Sequence, residues 1–216
     1  MYACVDTIIE HQDLIKCLKE SGLVNLTLGI EAIKDEELAA FNKKTSVEKN
    51  NEAIRILQKL GISKSAHFIV KPDFSEEDFS ALYKYVLNMD LFQPIFTVLT
   101  PLPGTDLFQE TCDRLAIRNY DFFDYVHSVL PTRLDRREFY AQFVKLYQKS
   151  YSYRRYCESL WKDILLKLNL FKGAEPCHDD RLSLIKLILM HLFAYPLTRR
   201  IRNMYRFEPL VDRSDL

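Results

Sequence analysis

The stretch LVNLTLGIE, residues 23–31, decides the fold that we expect for this chain. Aliphatic side chains occupy five of its nine positions. This predicts a parallel strand that is covered on both faces rather than one with a solvent-exposed face. The strand ends by bringing Gly29 and Glu31 to its carboxyl end, where parallel α/β sheets bind their ligands. Glu31 is therefore a candidate ligand contact, and the alternative is a solvated loop residue.

A unit of helix, glycine, apolar residue and strand occurs twice. Gly22 precedes the strand at 23–31, and Gly61 precedes a second strand at 66–70. A third strand, at 95–100, runs into the turn PLPGT at 101–105. Together with a strand tail at 2–5, these segments predict a four-stranded parallel α/β sheet, which is an incomplete, partial TIM-like barrel with an unpaired edge.

Local signals place the helices between and after these strands. We expect a helix from Asp6 or Thr7 through Glu20, and capping boxes at 45–48 and 75–78. In the turn at 101–105, a glycine permits positive φ and a threonine can cap the next helix. Beyond residue 117 the sequence becomes helical and aromatic, and Asp135 is placed to cap a long helix through about Leu168.

Tyrosines recur along this predicted helix, and two interpretations of them stay open. They either stack on a substrate or form a half-buried packing stripe, which is the commoner use of such a pattern. The residues concerned are Tyr140, Tyr147, Tyr151, Tyr153 and Tyr156.

The segment 182–206 combines an apolar stretch, 182–195, with four arginines that follow it and have no acid among them. This pattern is typical of a helix that lies on an anionic membrane surface. The alternative is a helix packed on its own domain and followed by a solvated basic tail.

Composition excludes several classes of protein. Lysine plus arginine and aspartate plus glutamate both total 30, so the charge balance argues against a nucleic-acid partner. The five cysteines never lie two to four residues apart, which predicts neither a metal site nor a disulfide framework. We expect a reducing, cytoplasmic location, with peripheral attachment to the inner face of the membrane if segment 182–206 binds lipid.

Motifs in one particular order carry a resemblance to a known family. From the N-terminus they are GIE at 29–31, NK at 42–43, NEAI at 51–54, FIV at 68–70 and PLPGT at 101–105. This order resembles the second half of a radical SAM domain of the cobalamin-dependent class. Asp124, His127 and the residues around Pro131 resemble the sequence of the helical extension found in the hopanoid-methylating members of this family.

The resemblance implies a partial barrel that holds S-adenosylmethionine and a [4Fe-4S] cluster, with a cobalamin domain upstream. In this family the reduced cluster generates a 5′-deoxyadenosyl radical, and methylcobalamin supplies the methyl group. Residues 1–117 match the C-terminal half of the barrel, and 118–216 match the helical, aromatic-rich extension. The resemblance assigns cofactor binding to Gly29, Glu31, Phe68, Ile69, Val70, Thr100 and Pro101.

The family's three cluster-binding cysteines, spaced three and then two residues apart, have no counterpart in this sequence. We therefore expect a fragment of a methyltransferase that acts on a hydrophobic, hopanoid-like substrate and is inactive alone. Its partner would be the missing N-terminal half, with the cobalamin domain and the cluster-binding strands.

Two alternatives stay open. The chain could be a non-catalytic, membrane-associated binding protein derived from the same fold. It could also be an α/β enzyme of unrelated chemistry that uses His67 as a base, although a histidine inside an apolar strand is more often a packed core residue.

Overall fold

A computed structural model of the protein describes residues 1–91, 93–152 and 155. Four parallel strands form one sheet in the order β1-β2-β3-β4, with helices between successive strands. The predicted α/β class with an open, incomplete parallel sheet is confirmed. The strands are β1 (Tyr2–Ala3), β2 (Asn25–Glu31), β3 (Ser63–Val70) and β4 (Gln93–Val98).

Seven α-helices accompany the sheet in the described residues. They are α1 (Val5–Glu10), α2 (Gln12–Glu20), α3 (Asp35–Ala40), α4 (Val47–Lys59), α5 (Glu76–Asn88), α6 (Asp106–Thr111) and α7 (Arg136–Ser150). Two 3-10 turns lie at 112–114 and 120–122.

The two faces of the sheet differ in burial. On β2, Leu26, Leu28 and Ile30 are fully buried, whereas the residues that alternate with them are only half-buried. The same alternation continues on β3 from Ala66 and on β4 from Pro94, where Phe68 and Phe96 point into the helix-covered core. The expectation that β2 is covered on both faces is therefore wrong, because among the described residues the helices bury one face only.

Helix boundaries follow the capping chemistry with three differences. The Ser75–Asp78 capping box and the caps at Thr105 and Asp135 form as predicted. The predicted box at 45–48 is shifted by one residue, because the Ser46 hydroxyl accepts from the backbone N–H of Lys49. The first predicted helix is two helices that meet at His11, whose φ of −122° is not helical.

The third difference is that α7 ends at Ser150 with Tyr151 as its C-cap. Most of the predicted continuation to Leu168 lies outside the described residues. Tyr140, Tyr147 and Tyr151 are all buried, which favours the packing interpretation of the tyrosine stripe. Tyr153 and Tyr156 lie outside the described residues.

The tyrosine hydroxyls of α7 complete the outer edge of β4. The Tyr147 hydroxyl donates to the Phe96 carbonyl (2.6 Å) and accepts from the Phe96 N–H (2.9 Å). Tyr151 donates to the carbonyl of Pro94 (2.8 Å), and the N–H of Val98 donates to the Tyr125 carbonyl (2.6 Å). Side chains and a loop thus occupy the positions that a further strand would take.

Within the described residues, no helix is both long enough and apolar enough to cross a membrane. The segment 182–206, for which the sequence predicts membrane-surface binding, lies outside the described residues.

Candidate functional site at the carboxyl ends of the strands

Glu31 occupies an unusual backbone conformation at the end of β2. Its φ is +65°, a region that residues other than glycine rarely adopt. The Ala32 N–H donates to the Ile30 carbonyl (2.8 Å), which closes a three-residue turn centred on Glu31. The pairing of β2 with β3 shifts register at this point, between Gly29 and Glu31. Strained residues of this kind concentrate at ligand sites, where the surrounding structure holds them in place.

Gly29 provides the space that the Glu31 carboxylate occupies. A Cβ atom at position 29 would lie 2.9 Å from Glu31 Oε1, closer than side-chain contacts normally come. The carboxylate therefore folds back over Gly29, on the half-buried face of the sheet. The need for glycine here comes from this close approach and not from its backbone angles, since Gly29 is not among the glycines with positive φ.

Lys43 fixes the position of this carboxylate. Its Nζ lies 3.0 Å from Glu31 Oε1, and the Glu31 side chain is only 13% exposed against 42% for Lys43. Lys43 follows α3 in a tight turn at Asn42, whose φ is +54°. The two side chains form a charge-assisted hydrogen bond, which holds the Glu31 carboxylate on the half-buried face of the sheet.

Asn50 supports the same turn from behind the sheet. Its side chain is fully buried, and its Nδ2 donates to the Ile30 carbonyl (3.3 Å). The Asn50 Oδ1 in turn accepts from the Thr45 hydroxyl (3.4 Å). The buried Asn50 amide thus hydrogen-bonds to the Ile30 carbonyl at the point where the pairing of β2 with β3 is irregular.

Polar side chains continue across the half-buried face. His67 is the Cα neighbour of Gly29 on β3, and its Nε2 lies 3.1 Å from the Thr97 hydroxyl on β4. Nearer the amino end, the Asn25 Nδ2 donates to the hydroxyls of Ser63 (3.2 Å) and Ser65 (3.4 Å). The face is therefore a polar surface with an acid at its carboxyl rim.

The residues to which the resemblance assigns cofactor binding divide between the two faces. The half-buried face carries Gly29 and Ile69, together with the Glu31 carboxylate. Phe68 and Val70 lie fully buried in the helix-covered core. Their backbone remains next to the rim, since both belong to the last three residues of β3.

The last two assigned residues follow β4. The Thr100 side chain is buried and its hydroxyl donates to the Val98 carbonyl (3.0 Å), and Pro101 is buried beside it. The cofactor-binding roles of all seven residues stay predictions.

A second carboxylate lies near the carboxyl end of β4. Asp124 Oδ2 is 2.7 Å from His127 Nδ1, and its other oxygen accepts from the backbone N–H groups of Val126 and His127 (2.9 Å each). Partial burial raises the pKa of the Asp124 carboxyl, but these hydrogen bonds outweigh burial and the net pKa lies below its usual value. The His127 ring packs edge-to-face against Phe122 and Tyr140.

The described residues contain no group of three or more histidine, cysteine, aspartate or glutamate side chains that could hold a metal ion. Cys4 and Cys17 are exposed, Cys112 is half-buried, and all three are free thiols. The described residues therefore do not fit an iron–sulfur cluster, which requires several converging thiolates.

The sequence pattern identifies Glu31 and Gly29 but not the residues around them, which are Asn50 behind the Glu31 turn, Lys43, and Thr97 beside His67. Asn50 and Thr97 occur in ordinary helix and strand patterns, and no local signal marks them as part of the site. Lys43 belongs to the quoted NK motif, but its pairing with Glu31 spans 12 positions and depends on the turn after α3.

The fold and this rim define an α/β protein whose candidate ligand site lies at the carboxyl ends of parallel strands. No protein-family model matches the chain. Its sequence is 36% identical over 146 residues to the hopanoid C-3 methylase of Methylococcus capsulatus, covering 68% of this chain and 28% of that protein. It is 30% identical over 160 residues to the anaerobic magnesium-protoporphyrin IX monomethyl ester cyclase of Cereibacter sphaeroides, covering 73% of this chain and 26% of that protein.

A third relative is the bacteriochlorophyllide d C-8(2)-methyltransferase of Chlorobaculum tepidum, 29% identical over 167 residues, or 74% of this chain and 35% of that protein. The chain is thus related to the cobalamin-dependent radical SAM methyltransferases and cyclases, as the order of its motifs indicates. It spans about a quarter to a third of the length of these curated relatives.

Proposed function

We propose that this chain provides the S-adenosylmethionine-binding rim of a radical SAM methyltransferase. The single observation that carries the proposal is the strained Glu31, whose carboxylate lies over Gly29 at the carboxyl end of β2. A carboxylate accepts hydrogen bonds from hydroxyl groups, and the ribose of S-adenosylmethionine offers two neighbouring hydroxyls. The lack of a side chain at Gly29 leaves the space that this carboxylate occupies.

The polar face fits the nucleoside part of this cofactor. Glu31 would accept from the ribose hydroxyls, with Lys43 holding its carboxylate in position. Ile69, on the same face of β3, offers an apolar contact for the adenine ring. When bound, S-adenosylmethionine would supply the 5′-deoxyadenosyl moiety on which the family's chemistry depends.

The cluster and the cobalamin are a separate part of the proposal. Because the described residues do not fit a [4Fe-4S] cluster, we derive no step through it. The proposal therefore requires both groups to be held outside residues 1–152, and we propose a cluster-bearing N-terminal half as the partner. Activity is expected only when that half is present.

We also propose a hydrophobic substrate. The names of three relatives specify a hopanoid, a magnesium porphyrin ester and a bacteriochlorophyllide, which are all large and mainly apolar molecules. The segment 182–206 would bring the enzyme to the membrane surface where such molecules collect.

Calorimetric titration of the chain with S-adenosylmethionine tests the proposal. We expect saturable binding by the wild type and at least about tenfold weaker binding by Glu31→Gln, because a hydrogen bond to a charged group contributes about 1.5–3 kcal/mol. Glu36→Gln, an exposed acid on α3, is the matched control and should bind like the wild type. Absence of binding by the wild type, or equal affinity of the Glu31 variant, would overturn the proposal.

A further inference from the structure

His127 contains a buried ring nitrogen that lacks a hydrogen-bond partner. The residue is only 7% exposed, and its Nε2 has no partner in the part of the chain that the structure describes. The hydroxyl of the neighbouring Tyr140 accepts from the Ser128 N–H (3.0 Å) and does not bond this nitrogen. Buried polar atoms are nearly always paired, and an unpaired one marks a place where a water, an ion or a ligand group completes the structure.

Asp124 determines which nitrogen of the His127 ring carries the proton. Its Oδ2 lies 2.7 Å from His127 Nδ1, and an ionised carboxylate can only accept hydrogen bonds. Nδ1 is therefore the protonated nitrogen of this pair. In the neutral ring, Nε2 is then an acceptor whose lone pair is directed away from Asp124.

Apolar side chains surround this acceptor. Phe122 packs edge-to-face against the His127 ring and belongs to a small apolar cluster that is separate from the main core. Tyr140 contacts the ring from the main core. The segment lies beside the carboxyl end of β4, because the Val98 N–H donates to the Tyr125 carbonyl. One oriented polar atom between apolar walls is the usual composition of a small-molecule site.

We propose that His127 Nε2 binds a proton-donating group, a hydroxyl or an N–H, of a ligand that is otherwise apolar. Asp124 is the positioning residue, since it fixes the tautomer of His127 without touching the ligand. A metal ion would need further protein ligands, and the described residues provide no such group. Because Nε2 is buried, binding requires the small cluster around Phe122 to move and admit the donor group. That this ligand is the substrate rests on the proposed function.

Phenol and anisole are suitable probes, because they share an aromatic ring but only phenol donates a hydrogen bond. NMR titration of the full chain gives both affinities. We expect phenol to bind about three- to tenfold more tightly than anisole, the range for one neutral hydrogen bond. His127→Phe keeps the ring contacts but lacks the acceptor, so it should bind both probes equally. His11→Phe, which changes an exposed histidine, is the matched control and should keep the preference for phenol.

Asp124→Asn tests the positioning role while His127 stays in place. The Asp124 Oδ1 accepts from the backbone N–H groups of Val126 and His127 (2.9 Å each), so the amide oxygen of asparagine should keep that position. The amide NH2 then faces Nδ1, which must accept, and the ring proton moves to Nε2. Nitrogen-15 spectra should show an Nδ1–H ring in the wild type and an Nε2–H ring in the variant, which should lose the preference for phenol.

The outcomes separate this site from the proposed function. Equal affinity of the wild type for phenol and anisole would overturn the inference, as would an unchanged preference in His127→Phe. An Nε2–H ring, or a doubly protonated ring at pH 8, in the wild type would also overturn it. These wild-type measurements and Asp124→Asn decide the question even if His127→Phe does not fold. A chain that prefers phenol but does not bind S-adenosylmethionine would overturn the proposed function and leave the His127 site standing.

Discussion

The hydroxyl of Tyr147 both donates to and accepts from the backbone of Phe96, 51 residues away in sequence. One side chain on α7 therefore satisfies the N–H and the C=O that β4 would otherwise leave unpaired. The rings of the two residues also pack edge-to-face, with centroids 5.0 Å apart. This contact ends the sheet at β4 and holds α7 along its outer edge.

Removing this hydroxyl should destabilise the protein. Tyr147→Phe leaves two buried backbone groups without their partner, so we expect the free energy of unfolding to fall by about 1–3 kcal/mol. Urea denaturation followed by circular dichroism measures this change. Tyr120→Phe, which alters a tyrosine that is 65% exposed, is the matched control and should change stability by less than about 0.5 kcal/mol. A Tyr147→Phe protein as stable as the wild type would show that the bridge contributes nothing.

Two substitutions at position 31 separate backbone strain from carboxylate chemistry. Glycine adopts a φ of +65° without steric cost, whereas alanine retains the strain. We therefore expect Glu31→Gly to be more stable than Glu31→Ala by about 1 kcal/mol. Both variants should lose affinity for S-adenosylmethionine equally, because both lack the carboxylate. Equal stability of the two variants in urea denaturation would contradict the argument for strain.

Adding one methyl group at Gly29 should affect binding more than stability. In Gly29→Ala the new Cβ displaces Glu31 Oε1, the end of a flexible side chain, so the free energy of unfolding should change by less than about 1 kcal/mol. The dissociation constant for S-adenosylmethionine should rise, as measured by calorimetric titration.

The control for Gly29→Ala is the same substitution in a Glu31→Gln background. There it should weaken binding far less, because the displaced carboxylate is already absent. Additive effects of the two substitutions would show that Gly29 acts independently of Glu31.

The Asp124 carboxyl should make stability depend on pH. Its pKa is lowered in the folded protein, so the stabilisation that it provides is fully present above the unfolded value of about 3.9 and is lost as the pH falls through the folded value. Wild type should therefore be more stable than Asp124→Asn at pH 6, and the difference should disappear below the folded pKa.

Thermal unfolding at a series of pH values measures this difference. The exposed Glu10 provides a control, since Glu10→Gln should follow the wild-type profile. A stability difference between wild type and Asp124→Asn that persists unchanged at pH 2 would refute the assigned role of the carboxylate.

The sequence by itself determined the order of the strands, the helices other than α3, the two glycine turns and most helix caps. These features depend on residues a few positions apart, so glycines such as Gly22 and Gly61, both at positive φ, mark their turns locally. The acid at the rim was also predictable, because Glu31 ends an apolar strand. The burial of only one face of β2 was not predicted, because the number of apolar residues in the stretch conceals their strict alternation.

Only the tertiary structure decided how the rim is built. The strain at Glu31 arises where β2 shifts register against β3, and its carboxylate is fixed by Lys43 from a separate turn. The pairing of His67 with Thr97 spans 30 residues, and that of Tyr147 with Phe96 spans 51. Such contacts form only when distant segments are brought together, so no local pattern of side chains encodes them.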